Sequence, residues 1–278
     1  MNIPAVFTSL FGQQNPKVEA PQKSEEQTPA PASEVPTISS PNGNQLEDMK
    51  MGFVSLAAHE LRTPLTAIKG YISVYLKDYK DTLNKDQADL LNHALSNTDR
   101  VLVLVENLLN VSRVERGALS FNPESIDYVS IISQIVSDFR ERAIEKNIQL
   151  DFVSPDQNIP QIKADKVRIS EVLSNLISNA INYTNPGGKV QISVHLQQDE
   201  VWTCIADNGP GIPEEAIPKL FTKFFRVTSG LTQNQNSQGN GLGLYISKAI
   251  VDMHHGKIWV ESKVGAGTRF TFSLPIRI

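Results

Sequence analysis

The sequence predicts an α-helical hairpin that closes into a four-helix bundle on dimerisation, followed by an α+β sandwich with helices on one face of a mixed sheet. Three observations predict it. Residues 46–115 carry apolar side chains at 3–4 spacing in two runs separated by a polar turn. Beyond Gly117, helical patterns intermix with short β-rich runs. No run approaches the ~20 apolar residues that span a bilayer, so the expectation is a cytoplasmic protein with no transmembrane segment.

Bulk numbers narrow the function classes. The chain has 278 residues, enough for about two domains. Its net charge is −4 and no broad basic stripe appears, which argues against nucleic acid as a partner. The single Cys204 excludes an intramolecular disulfide and a cysteine-rich metal site. Within VWTCIAD it reads as a small buried hydrophobe. The opening MNIPAVFTSLFG lacks a basic n-region and is a poor signal peptide. Residues 12–45 hold six of the 16 prolines, and no aromatic residue falls between Phe11 and Phe53. Such composition cannot offset its ordering entropy, so 1–45 is expected to be a disordered tail or linker.

The first helix should run from about 46 to 79. Phe53, Ala57, Leu61, Leu65, Ile68 and Ile72 form one apolar stripe at ~100° per residue. His59 falls nearly opposite that stripe and should face solvent, with Glu60 directly after it. An exposed imidazole beside a carboxylate is a candidate nucleophile. Thr63 follows one turn later. Pro64 removes a backbone donor and should bend the helix just after His59. KDTLNKD (80–86) carries turn and cap residues, and a second helix should reach about 115. In it, Leu91, Ala94, Thr98, Val101, Val105 and Leu108 keep heptad spacing. One hairpin leaves such a seam half covered, so residues 46–116 should form a homodimer's bundle.

Gly117 should end the second helix, and 117–278 should form the second domain. Helices are expected in 125–146, 167–184 and 241–255. Strands are expected in IQLDFV, VQISVHL, VWTCIAD, KIWVES and TRFTFSLP. Four of its segments suit a nucleotide. NLISNA sets Asn175 and Asn179 at i and i+4 on one helix face, where amide oxygens are hard ligands for Mg²⁺. In DNGPGIP, Asp207 can accept a hydrogen bond from an adenine amino group, and Gly209 and Gly211 admit close backbone approach. GNGLGL opens a helix with Gly239, Gly241 and Gly243, where backbone N–H groups favour phosphate. VGAGTRF places Gly265 and Gly267 in a turn before Thr268. Between the second and third segments, FTKFFRV offers Lys223 and Arg226 as phosphate cations. TSGLTQNQNSQ reads as a lid, anchored by Phe221, Phe224 and Phe225. Core packing is an equal reading for Phe224.

In this order the segments resemble the N, G1, F, G2 and G3 boxes of the histidine kinase catalytic domain. FVSLAAHELRTPL (53–65) resembles the phospho-acceptor box of sensor histidine kinases. The resemblance covers about residues 46–278. It implies a Bergerat-type fold, shared with Hsp90, MutL and type II topoisomerase ATPases, with ATP and Mg²⁺ as cofactors. It makes Asn179 the principal Mg²⁺ ligand, assisted by Asn175. It places Asp207 on adenine with Gly211 and Thr268 beside it, and Tyr183 near the nucleotide. Asn182, Gly209, Lys223, Arg226, Gly239, Gly241, Leu242 and Gly243 complete the expected nucleotide contacts.

The activity implied is a phosphoryl relay. ATP phosphorylates His59, with Glu60 as general base, and an aspartate of a response regulator receiver domain takes the group. Thr63 would orient water for dephosphorylating that receiver; a plain helix residue before Pro64 is the alternative. No folded sensor domain is visible before His59, which leaves a separate sensor protein as a partner. Two departures stand out. Relatives often carry Lys or Arg where this chain has Asn182, so one phosphate-binding charge is missing. The usual His-Gly-Gly run appears as His254-His255-Gly256, with His255 expected in a surface turn. His93 and His195 read as ordinary structural or surface residues, and no metal-ligand spacing links the five histidines. Two rival readings remain: a non-kinase ATPase or serine kinase of the superfamily, and a degenerate kinase acting as scaffold or phosphatase only.

Overall fold

A computed structural model describes residues 43–155, 157–227 and 240–277, with the side chains of the first helix from Val54 onward. The expected tail to residue 42, the lid over 228–238 and Gly239 lie outside these residues. The first helix, α1, spans Gly43–Asp78 and contains Pro64; the second, α2, spans Lys85–Glu115. Asn84 caps α2 in a capping box: its Oδ1 accepts from Gln87 N at 2.9 Å, and Gln87 Oε1 accepts from Asn84 N at 3.1 Å. At the other end Gly117 takes φ 60, and Ala118 N–H donates to Arg113 O at 2.8 Å. This is a Schellman ending, which glycine adopts without Cβ strain.

The two helices form an antiparallel hairpin. Ala58 packs with Val105 and Leu109, and Leu65 and Leu108 join them. Arg62 pairs with Glu106, and Lys69 with Asp99 at 2.7 Å. Within a single chain Leu61, Ile68, Val74, Leu90, Val101 and Val103 remain exposed. The expected stripe is therefore split: Ala57, Leu65 and Ile72 are half-buried, while Leu61 and Ile68 face outward.

The rest of the chain builds a five-stranded sheet. Its strands are β2 (Gln149–Val153), β4 (Lys189–Gln197), β5 (Glu200–Asp207), β7 (Gly267–Pro275) and β6 (Lys257–Lys263), in that spatial order. The β2–β4 pair is parallel and the others antiparallel, so the sheet is mixed as expected. Along β4 and β5 the buried set is Val190, Ile192, Val194, Val201, Thr203 and Ile205, one residue in two. That face is covered by α3 (Tyr128–Glu145), α4 (Lys166–Tyr183) and α5 (Gly243–Met253). In α4, Ile169, Val172, Leu173, Leu176, Ile177, Ala180 and Ile181 face this core. Tyr128 is buried among them, its hydroxyl 2.5 Å from Thr203 Oγ1.

Three short elements were not expected. β1 (Glu124–Ile126) and β3 (Ile162–Ala164) make a two-stranded antiparallel ribbon, and a 3-10 helix spans Glu214–Lys219. Three-residue strands are too short for a legible alternation.

Candidate active site

His59 sits on the exposed side of α1. Its Nδ1 lies 3.5 Å from Glu60 Oε1, and about seven-tenths of each side chain is open to solvent. Thr63 is also exposed. With Pro64 in the helix, the Glu60 carbonyl has no i+4 amide donor, which loosens the ladder beside the histidine.

A cavity of about 1220 Å³ opens over α4. Asn175, Asn179, Asn182 and Tyr183 form one wall, because i, i+4, i+7 and i+8 share a helix face. Asp207, Gly211 and Thr268 line another part, and Arg226, Gly241 and Gly243 a third. Gly209, Lys223 and Leu242 are not among the lining residues, and neither is His59. Leu242 is buried in the core at the start of α5, its N–H donating to Asn240 Oδ1 at 3.2 Å. Lys223 pairs with Glu115 at the end of α2 and lies 5.5 Å from the Tyr245 ring centre. The Tyr245 hydroxyl donates to the same Glu115 carboxylate at 3.1 Å. The Lys223 hydrogen bond is the main reason that the Glu115 carboxyl lies below its ordinary range.

Strand register fixes the Asp207 corner. Asp207 of β5 pairs with Thr268 of β7. Burial raises the Asp207 carboxyl above its ordinary range, while backbone N–H groups of Gly209 and Thr268 pull it back. Gly209 N donates to its Oδ1 at 2.9 Å. Gly267 takes φ 96, and a Cβ there would run into the Asp207 carbonyl oxygen. Gly211 takes φ 73, and a Cβ there would meet the backbone of Lys263.

Ser262 ties these turns together. Its hydroxyl donates to Gly267 O at 2.8 Å and accepts from Ile212 N at 2.8 Å. Its one proton is thereby used, so Thr268 Oγ1, 2.9 Å away, must donate to it. Thr268 then turns its lone pairs outward.

The metal question rests on donor chemistry. Among the described residues no group of three or more His, Cys, Asp or Glu can hold a metal ion. Along the α4 wall Glu171 is engaged by Asn110 and Arg168, and the neutral amides of Asn175 and Asn179 offer oxygens to a cation. Asn175 Nδ2 donates to Ser247 Oγ at 2.9 Å, which fixes the amide with Oδ1 against Gly243. Neutral hard oxygens fit Mg²⁺ that arrives already bound to phosphates, and do not fit an isolated cation.

Several site residues escaped sequence reasoning. Asn240 lines the cavity with a buried Nδ2 that has no hydrogen-bond partner among the described residues. Arg142 and Lys146 of the third helical region also line it. His254 is fully buried: Asp165 N donates to its Nε2 at 2.9 Å, so Nδ1 carries the proton and donates to Ile250 O at 2.8 Å. Asp165 caps α4 through Arg168 N at 3.1 Å, so His254 anchors the start of the asparagine helix. His255 is the surface turn residue expected, at φ 57. Phe221 packs edge-on against Phe270 and Phe225 lines the cavity. Phe224 is exposed at φ 60, so the core-packing reading does not hold, while the lid that it was expected to anchor lies outside the described residues. Cys204 is half-buried rather than fully buried, because it lies on the sheet face away from the helices.

Comparison with known proteins gives two family matches. Residues 49–117 match the His Kinase A (phospho-acceptor) domain, and residues 164–278 match the histidine kinase-, DNA gyrase B-, and HSP90-like ATPase. Sensor histidine kinase WalK of Bacillus subtilis (strain 168) is 34% identical over 236 residues, 84% of this chain and 38% of that protein. The chain thus spans about two fifths of the curated relatives it matches. Full-length ShkA, solved in complex with AMPPNP, superimposes with a TM-score of 0.67 at 25% identity, covering 81% of this chain and 45% of ShkA. Histidine kinase ThkA, solved in complex with the response regulator protein TrrA, gives 0.52 at 27% identity, covering 83% and 64%. No helix among the described residues is long and apolar enough to cross a membrane.

Proposed function

This chain belongs to the sensor histidine kinases, and we propose that it uses ATP to phosphorylate His59 and then passes the group to an aspartate of a response regulator. One observation carries the reading. A single cavity gathers Asn175, Asn179, Asp207, Gly211, Gly243 and Thr268 from four separated segments, while a solvent-facing His59-Glu60 pair lies on the helical hairpin. The AMPPNP held by ShkA and the response regulator held by ThkA support a nucleotide and a receiver as ligands here.

The residues divide the chemistry. Asp207 accepts from the adenine amino group, and Thr268 offers the outward lone pairs described above. Asn179 and Asn175 would hold Mg²⁺ through their amide oxygens, and the ion would supply charge neutralisation at the phosphates. The α5 N-terminus at Gly241–Gly243 adds backbone N–H donors.

His59 reacts as the neutral imidazole with its proton on Nδ1. The Nε2 lone pair forms a bond to the γ-phosphorus, and the bond from phosphorus to the β,γ-bridging oxygen breaks, with ADP leaving. Glu60 takes up the Nδ1 proton as positive charge develops on the ring. In the second step a receiver aspartate oxygen attacks phosphorus, and the P–N bond breaks back to His59 Nε2 as Glu60 returns the proton to Nδ1. In this reading Thr63, exposed four residues on from His59, orients a water for receiver dephosphorylation. His59 does not line the cavity, so the first step requires the histidine and the nucleotide to be brought together. The bend at Pro64 and the exposed apolar face of the hairpin, covered by a second copy, are the elements suited to that.

Incubation with γ-labelled ATP and Mg²⁺ tests the reading. The expected product is an acid-labile, alkali-stable label on the protein, which a receiver domain discharges. Nucleotide binding without any label would instead favour a scaffold or phosphatase.

A further inference from the structure

Two cations meet on one neutral oxygen at the cavity wall. Arg142 Nη2 donates to Asn182 Oδ1 at 2.9 Å, and Lys146 Nζ donates to the same oxygen at 2.8 Å. Arg142 also reaches Ser178 Oγ at 3.3 Å, one helical turn before Asn182. All four side chains line the cavity that holds Asn175 and Asn179. Among the described residues, neither cation has a carboxylate within ion-pair distance, although other Lys and Arg side chains pair with carboxylates elsewhere, as at Arg62–Glu106, Lys69–Asp99 and Arg168–Glu171. Like charges gathered without a counter-ion repel each other, and the cost is recovered when an anion binds between them. The strain is visible at Lys146, whose ammonium lies below its ordinary range, first through burial and then through the Arg142 charge.

We infer that Arg142 and Lys146, oriented by the Asn182 amide oxygen, bind the polyphosphate of the nucleotide and supply the positive charge of this wall. The inference rests on the cavity being the ATP site. Asn182 lies three residues beyond Asn179 on the same helix face, so charge held there adjoins phosphates that share a cation with Asn179. Arg142 presents a planar fork suited to two phosphate oxygens, and Lys146 a single point charge. Asn182 acts as a positioning residue: its acceptor oxygen fixes both donors, and its Nδ2 is 3.4 Å from Ser178 Oγ.

The test compares wild type with Arg142→Gln/Lys146→Gln and with the same double variant carrying Asn182→Lys. ATP affinity is measured by calorimetry, and adenosine affinity by chemical-shift titration of backbone amides. Melting curves show that each protein is folded. The expected result is an ATP affinity lowered more than about tenfold in the double variant. Adenosine affinity should be unchanged, and Asn182→Lys should recover most of the ATP loss. Unchanged ATP affinity in the double variant would overturn the inference and leave the nucleotide site standing. Equal losses for ATP and adenosine, not recovered by Asn182→Lys, would also overturn it, because the residues would then only support the wall. Folded wild type that binds neither ligand would overturn both this inference and the ATP reading of the cavity.

Discussion

Burial holds the Asp207 carboxyl above its ordinary value of 3.8. The native state therefore binds that proton more tightly than the unfolded chain does. Its ionisation costs stability at neutral pH, and the cost disappears as pH falls through the raised pKa. In the proposed role, Asp207 accepts from the adenine amino group in its ionised form, so protonation would oppose nucleotide binding. Nucleotide affinity should decline on the acid side beginning above pH 3.8. Asp207→Asn should bind more weakly at neutral pH and lack that component of the decline, which calorimetry across pH would read. His254 behaves in the opposite sense. Burial holds its imidazole below the ordinary 6.5, so the stability it contributes is present above that value and is lost as pH falls towards the depressed pKa. His254→Phe strands the buried Asp165 N–H and should cost about 1–3 kcal/mol in denaturant unfolding. The exposure of His59 and the shared cavity wall of Asn175 and Asn179 were legible because they follow from local helical spacing. Arg142, Lys146 and Ser262 were not. Arg142 and Lys146 reach Asn182, and Ser262 reaches Ile212, across tens of residues, and a lone Arg, Lys or Ser reads as surface until the fold brings it near. The cations that meet Asn182 come from the end of α3, which no spacing within α4 reveals.

At the scale of elements, strand register governs the corner proposed for adenine. Pairing of Asp207 with Thr268 depends on Gly267, whose positive φ and missing Cβ let β7 approach the end of β5. Gly267→Val should displace that pairing, destabilise the fold by about 1–3 kcal/mol and abolish measurable ATP affinity. Retained affinity in a folded Gly267→Val protein would count against the assignment of this corner to adenine. The long helices and strands β2 and β4–β7 followed from their 3.6 and 2.0 periods. β1, β3 and the 3-10 helix did not, because three to six residues carry too few repeats of either period. The hairpin's stripe was legible in composition but not in how it divides. Ala58 and Leu109 fill the contact within one chain, while Leu61 and Ile68 are left outside it.

At the scale of the whole molecule, that outward face bears on assembly. Leu61, Ile68 and Val101 lie exposed along the hairpin, and a second copy would cover them as a four-helix bundle. Sedimentation should therefore show a dimer that Leu61→Glu/Ile68→Glu converts to monomer, with nucleotide affinity retained, since neither residue lines the cavity. Glu115, bonded by both Lys223 and Tyr245, ties the end of α2 to the ATPase part. The hairpin that carries the acceptor is thus physically joined to the part that carries the cavity. The central claim is that this cavity donates its phosphoryl group to His59. It is tested most directly by labelling with γ-labelled ATP and Mg²⁺ in wild type, His59→Gln and Asn179→Asp, with ATP binding measured alongside. The account predicts label in wild type only, and undiminished ATP binding in His59→Gln. Label that survives His59→Gln would contradict it.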